Sequence, residues 1–200
     1  MKCKGCNISK YSYQSFNMLI FQLKKIKDDK KKQMGEYYDK NTVLNLYDAF
    51  LNQQEKEALT GENQIYCNNC KKLNNGCHQQ SLYELPRVLI IILNRGKDNA
   101  DFNDEFNFPE ILDFNNNGII VSPNCKYKRF YLCGIIKHLG ESGSSGHFIA
   151  YCRNKPDSNF ICYNDAVFNE VSVKDAMSAN VSNNVNEKKT PYILFYHFME

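Results

Sequence analysis

Two cysteine pairs and one histidine carry the residue types from which a chemical site can be built. Cys3 and Cys6 form one C-x2-C, and Cys67 and Cys70 form a second. Together they supply four thiolates, the set that a tetrahedral structural zinc ion takes. Each knuckle bends the backbone so that both sulfurs face one point. The gap from residue 7 to residue 66 only requires the chain between to leave and return, with the knuckles at the tips of neighbouring hairpins. A closed four-sulfur set leaves no position for water, so such a metal is structural and not catalytic. Two other readings stay open: four unrelated buried cysteines, or a ligand set of Cys67, Cys70, Cys77 and His78, which leaves Cys3 and Cys6 unexplained.

The histidine is His147, at the end of the glycine- and serine-rich "GESGSSG" that opens at Gly140 and runs into the strand-like "HFIAYC". Side chains 147, 149 and 151 of a strand share one face. A second strand, over residues 159–164 and just past, carries Asn164 and Asp165, and "RNKPDSN" is a hairpin-type connection between the two. The imidazole can therefore meet an amide or a carboxylate, as the base and orienter of a nucleophilic triad do. A core histidine satisfied by a neighbour fits these residues as well. No cysteine completes a triad. Cys152 lies about 16 Å along the same strand, on the opposite face. Cys162 shares the face of Asn164, but no loop or helix N-terminus presents it, and reactive thiols need such help. Cys133 sits mid-strand among apolar residues.

The rest of the chain must position these groups. Its 200 residues suit one domain, with room for a smaller appendage. An apolar fraction of 42%, with 13 Phe and 13 Tyr, can build a core. A net charge of +3 is too small to argue for nucleic acid. The basic run "KKIKDDKKKQ" (24–33) reads as a solvated loop. No apolar leader is visible at the N-terminus. "VLIIIL" (88–93) is far too short to cross a bilayer, so no membrane role is expected. Nine cysteines without a secretion signal point to a reducing compartment, cytoplasm or nucleus.

Residues 11–23 read as a strand by rough alternation. Residues 41–53 read as a helix capped by Asn41 or Thr42, with Val43, Leu44, Tyr47, Phe50 and Leu51 at helical spacing. Residues 85–93 read as a strand buried on both faces. Residues 95–110 are loop-like, and "FNNNG" (114–118) is a turn. Further strands are expected over 129–137, 147–153, 159–164 and 191–198, with a short helix over 173–181. The class is α+β with a mainly antiparallel sheet.

These motifs, in this order from residue 3 to residue 198, resemble the ubiquitin-specific protease family of papain-like deubiquitinating cysteine proteases. "GHFIAYCRN" resembles the family's histidine box. "FICYNDAVF" resembles the following box, with Phe160 where Trp is usual. "LPRVLIIILNRGK" is similar to the central strand, although its usual "hLKRF" ending reads "ILNRG" here. "KCKGC" and "YCNNC" are similar to the zinc knuckles of the fingers subdomain. "FNFPEILDF" and "TPYILFYHF" are similar to a palm segment and the closing strand.

The resemblance implies roles. His147 is the expected general base, Asn164 the orienting residue and Asp165 its assistant. Cys3, Cys6, Cys67 and Cys70 are the expected ligands of a structural zinc ion. Gly140, Gly143, Gly146 and Phe148 are expected beside the extended C-terminal Leu-Arg-Gly-Gly of ubiquitin. Glu84, Asp101, Asp104, Glu105 and Glu141 are acidic candidates for its basic tail. Residues of about 1–27 and 60–84 are expected in the fingers, and of about 40–58 and 85–200 in the palm. The family's N-terminal cysteine box, "GLxNLGNTCFMN"-like, has no counterpart in these residues, and neither has the helical thumb. The expectation is therefore a deubiquitinase whose nucleophile lies in an absent N-terminal half, this chain alone being inactive. The alternatives are a ubiquitin-binding pseudoenzyme and, far behind it, a zinc-ribbon nucleic-acid protein.

Overall fold

The computed structural model describes residues 1–39, 42–96, 102, 104–115, 117–178 and 189–199. In chain order the elements are β1 (Lys2–Cys3), β2 (Leu19–Gln22), α1 (Leu23–Met34), β3 (Leu44–Asn45), α2 (Leu46–Gln53), β4 (Glu57–Leu59), β5 (Ile65–Cys67), β6 (Lys72–Asn74) and β7 (Gly76–His78). There follow β8 (Val88–Asn94), β9 (Phe106–Asn107), β10 (Ile111–Asp113), β11 (Arg129–Ser142), β12 (Ser145–Cys152), β13 (Phe160–Asn164), β14 (Val167–Val171), α3 (Val173–Met177) and β15 (Lys189–Phe198).

The largest sheet among the described residues has eight strands in the order β14-β13-β12-β11-β15-β8-β2, with β10 also paired to β11. Its pairings are antiparallel except β2 against β8. The class is α+β, as the sequence led one to expect. Smaller sheets, β1-β7-β4 and β5-β6, carry the cysteine knuckles. β2 joins the large sheet, so residues 19–22, expected with the knuckles, pack with the main body instead.

Three expectations are corrected. The strand read over residues 11–23 is regular only at Leu19–Gln22, and Tyr11 and Tyr13 are exposed. The basic run read as a loop is helix α1. Lys and Gln are good helix formers, and cross-links fix the helix in place. Lys27 reaches Asp104 at 2.7 Å and Lys30 reaches Asp48 at 2.6 Å, while Asn52 donates to Asp29 at 3.0 Å. Leu23 and Ile26 supply its buried face. β8 is buried on one face and only half-covered on the other: Leu89, Ile91 and Leu93 are enclosed, Ile90 and Ile92 intermediate and Val88 exposed.

The expected helix over residues 41–53 starts later. Its cap is Asn45, whose side chain accepts from Asp48 N while Asp48 Oδ2 accepts from Asn45 N, both at 3.0 Å. This reciprocal box satisfies donors that a helix start leaves bare. Its buried face is Leu46, Ala49 and Phe50, with Leu51 exposed. The strands expected over 129–137, 147–153, 159–164 and 191–198 form as β11, β12, β13 and β15. Of the helix expected over 173–181, Val173–Met177 is formed, and residues 179–181 lie outside the described ones. The core runs through edge-to-face ring pairs, Phe21–Phe50 at 5.0 Å, Phe50–Phe114 at 5.1 Å and Phe114–Phe130 at 5.9 Å. This packing holds α2 on the sheet that carries β11 and β12.

Candidate active site and cysteine centre

β12 and β13 pair through Tyr151↔Cys162 and Ala150↔Tyr163, and the ladder stops there. Past that point His147, inside β12, and Asn164, the last residue of β13, meet through their side chains. His147 Nε2 lies 2.6 Å from Asn164 Oδ1. An amide oxygen only accepts, so Nε2 carries the proton and Nδ1 keeps its lone pair. That leaves Nδ1 as the basic atom, on a ring whose tautomer the amide fixes. Asp165 Oδ2 stands 3.6 Å from the same Nε2, on an 83% exposed side chain. Asp165 occupies the two-residue turn between Asn164 and Val167 at φ 51°, a left-handed conformation that Asp tolerates. The three expected residues are thus brought together.

The strand before His147 depends on its glycines. Leu139 pairs with His147 and Ser142 with Ser145, with a register shift between. Gly140 and Gly146 sit at φ 147° and 149°. A Cβ on Gly140 would lie 2.8 Å from Ser145 O and 2.9 Å from the His138 ring, and one on Gly146 would collide with that same ring and with Leu139 O. A Cβ on Gly143 would lie 3.0 Å from Phe102. Phe148 is half exposed, on the face opposite His147, with its ring 4.9 Å from His138 and 5.6 Å from Tyr192. Of the acidic candidates, Glu84 and Glu105 are exposed and Asp104 is paired with Lys27. Asp101 and the Glu141 side chain lie outside what is described.

None of the nine cysteines is a hydrogen-bond partner of His147. Burial pushes the Cys133 and Cys152 thiols up, away from the thiolate form. Cys133 donates to Phe195 O and Cys125 to Tyr127 O, each at 3.3 Å. These are the settings of inert thiols.

The four knuckle cysteines do converge. The Sγ atoms of Cys3, Cys6, Cys67 and Cys70 all lie within 4.8 Å of one another. Each knuckle has the same backbone. Asn7 N donates to Cys3 O at 2.9 Å and Lys71 N to Cys67 O at 2.8 Å, and both donors have positive φ, 61° and 55°. Cys67 and Lys72 close the β5-β6 hairpin, and Lys2 bridges Ser9 around the first knuckle, so both pairs sit at hairpin tips. Gly5 packs closely there: a Cβ would lie 2.7 Å from Asn74 Oδ1, so that amide would have to turn aside. Cys6 and Cys67 sulfurs are 3.6 Å apart, close to the S···S edge of about 3.8 Å that Zn–S bonds of about 2.3 Å impose on a tetrahedron. The Cys70 backbone N–H pulls the Cys67 thiol down to about 6, while the Cys6 sulfur pushes Cys70 up to about 12. Thiols this crowded cannot all ionise without a cation among them, so the set fits a soft divalent metal. Cys77 and His78 are not in the cluster. His78 instead faces Glu57 at 3.9 Å.

Three buried polar residues stood out only in the structure: Lys137 and His138 on the strand beside His147, and Arg153 at the far end of β12. Lys137 and His138 sit in a run of strand residues, and Arg153 follows β12. Nothing in the alternation marks them as enclosed.

A family model described as ubiquitin carboxyl-terminal hydrolase matches residues 1–196. Ubiquitin carboxyl-terminal hydrolase 9 of Saccharomyces cerevisiae is 27% identical over 148 residues, which are 71% of this chain and 19% of that protein. Ubiquitin carboxyl-terminal hydrolase 15 of Homo sapiens is 28% identical over 174 residues, 84% of this chain and 16% of that protein. The chain therefore spans less than a fifth of the length of these relatives. A solved SAGA DUB module, Ubp8 with Sgf11, Sus1 and Sgf73 bound to monoubiquitin, superposes with a TM-score of 0.70 at 22% identity, over 100% of this chain and 39% of that one. That likeness is one of fold. No helix among the described residues is long and apolar enough to cross a membrane.

Proposed function

The chain belongs to the ubiquitin carboxyl-terminal hydrolase family, and we propose that it is the histidine-bearing part of a thiol-dependent deubiquitinase. The observation that carries this reading is the 2.6 Å contact of His147 Nε2 with Asn164 Oδ1. Asn164 holds the tautomer, so His147 Nδ1 takes the proton of a cysteine thiol supplied from outside these 200 residues. The thiolate attacks the carbonyl of ubiquitin's C-terminal glycine, and the imidazolium returns the proton to the leaving amine. Water then releases ubiquitin from the acyl-enzyme by the same route in reverse. Asp165 offers the imidazolium a nearby negative charge.

Cys3, Cys6, Cys67 and Cys70 hold a structural zinc ion in a fingers region that grips the ubiquitin globule, and the large sheet is the palm of a papain-like protease. The thumb and nucleophile belong to the absent segment. The glycine loop with Phe148 lines the channel for the ubiquitin tail, and the exposed Glu84 and Glu105 are the acidic candidates for its basic residues, Asp104 being engaged by Lys27. The setting is cytoplasmic or nuclear.

The test has two parts. Titrating 15N-labelled ubiquitin with the chain should perturb its C-terminal residues. A ubiquitin C-terminal fluorogenic amide should not be cleaved by the chain alone, but should be cleaved, in a His147-dependent way, once the cysteine-bearing segment of its own reading frame is restored. Cleavage by the 200 residues alone would overturn the placement of the nucleophile. Binding with no cysteine box in the reading frame would make the protein a ubiquitin-binding pseudoenzyme.

A further inference from the structure

Close to the catalytic pair stands a second histidine that the proposed reaction does not use. His138 lies on β11 beside Leu139, the residue that pairs with His147, and is itself paired with Phe148. It is 4% exposed. Its ring meets Phe102 at 5.2 Å and 84°, and Phe148 at 4.9 Å and 66°, both edge-on. No hydrogen bond satisfies its Nδ1 among the described residues.

The two glycines with positive φ that flank the loop tip both touch this ring. A Cβ at Gly140 would lie 2.9 Å from His138 Cε1, and one at Gly146 would collide with Cε1 and Nε2. The register shift between Leu139 and Ser142 lies between those contacts. Glycine is the residue freest to change its backbone angles, so the strand entering His147 has two hinges, and one imidazole blocks both. Burial keeps this ring neutral, holding its pKa below the ordinary value. An unsatisfied buried nitrogen works against stability. A ring retained for packing alone is better made by an apolar side chain.

We propose that His138 is a positioning residue for His147: its imidazole is the wedge against which Gly140 and Gly146 close, fixing the backbone from which the His147 ring reaches Asn164. The catalytic consequence rests on the function proposed above, whereas the geometric one does not.

The test reads the tautomer of His147 from its imidazole 15N shifts in the 200-residue chain, together with the amide signals of Gly140 and Gly146. In His138→Ala the glycine amides should shift and broaden, and the ratio of Nε2–H to Nδ1–H tautomer at His147 should fall severalfold, the direction also expected of Asn164→Ala. Free imidazole added to His138→Ala should restore part of the lost ratio by refilling the slot. If His138→Ala does not fold, His138→Asn is read in the same way and should give a smaller shift in the same direction. Unchanged His147 and glycine signals would overturn the proposal. So would a fall in thermal stability with the His147 tautomer intact, which would make His138 a core residue only. Failure to bind ubiquitin would overturn the functional reading and leave the wedge standing.

Discussion

His147 Nε2 meets Asn164 Oδ1 at 2.6 Å from two strands whose ladder has already ended at Ala150 and Tyr163. The contact is made by side chains alone, past the point where β12 and β13 stop pairing, while His147 stays paired to Leu139 and Asn164 to Val167. Asn164→Ala should therefore leave the fold intact and release the imidazole. In an assembly that cleaves ubiquitin amides, kcat should fall roughly 100-fold with KM little changed, the scale of losing oriented acid–base catalysis. Steady-state kinetics on the variant checks this, and an unchanged kcat would remove Asn164 from the mechanism.

Asp165 lies farther away and is largely exposed. Water screens such a pair. Asp165→Ala should cost no more than about fivefold in kcat, the range of an exposed charge pair. A loss as large as that of Asn164→Ala would reverse the two roles.

The cysteine centre predicts one zinc per chain by elemental analysis. Cys67→Ser should lose most of the metal and lower the melting temperature, because binding energy at a structural site is folding energy. His78→Ala should keep the metal, since His78 faces Glu57 and not the sulfurs. Retention of zinc by Cys67→Ser together with its loss from His78→Ala would restore the ligand set of Cys67, Cys70, Cys77 and His78.

Some of this was legible in the residues and some was not, for physical reasons. The two C-x2-C spacings fix where sulfurs point, and a closed set of four needs no knowledge of the fold. The period-two runs of β11, β12, β13 and β15 expose their strands directly. Helix α1 stayed hidden because ten of its twelve residues are not buried, so it shows no apolar stripe. What holds it are ion pairs to Asp48 and Asp104, which are remote in sequence. The start of α2 was misplaced because Asn41, Thr42 and Asn45 are all capping residues, and only Asn45 has an acidic residue three positions on to close the box. His138 could not be recognised as a wedge, since the sequence marks Gly140 and Gly146 but not the burial that brings the His138 ring against both.

Lys137 offers a pH-dependent prediction. Its side chain is fully buried, donating to Ser178 O at 2.6 Å and lying 4.9 Å from the Tyr151 ring. Burial lowers its pKa from 10.5 to about 8. The unfolded chain then binds this proton more tightly than the folded one. The charge thus opposes folding fully below pH 8, and the penalty disappears as pH rises through 8 towards 10.5. Lys137→Met should stabilise the chain at pH 7 by about 2 kcal/mol, after the lost hydrogen bond offsets part of the roughly 3 kcal/mol penalty. The gain should shrink between pH 8 and 10. Urea midpoints of both proteins across this range measure it, and a gain independent of pH would assign the effect to packing.

Arg153 ties the β12–β13 hairpin to its neighbours. Its Nε donates to Leu132 O at 2.7 Å, and its Nη1 to Glu110 Oε1 and Pro156 O, both at 2.9 Å. The guanidinium also lies 4.7 Å from the Phe160 ring. A planar fork can reach these acceptors at once, whereas a lysine ammonium is a point charge on a flexible stem. Arg153→Lys should therefore destabilise the chain by roughly 2–4 kcal/mol, the scale of breaking a buried charged network. Glu110→Gln should cost under about 1 kcal/mol, because that carboxylate is 42% exposed and the carbonyls still hold the arginine. Equal losses in the two variants would locate the energy in the ion pair. A much larger loss for Arg153→Lys would place it in the carbonyl clamp, which closes the connection between the strand of His147 and the strand of Asn164.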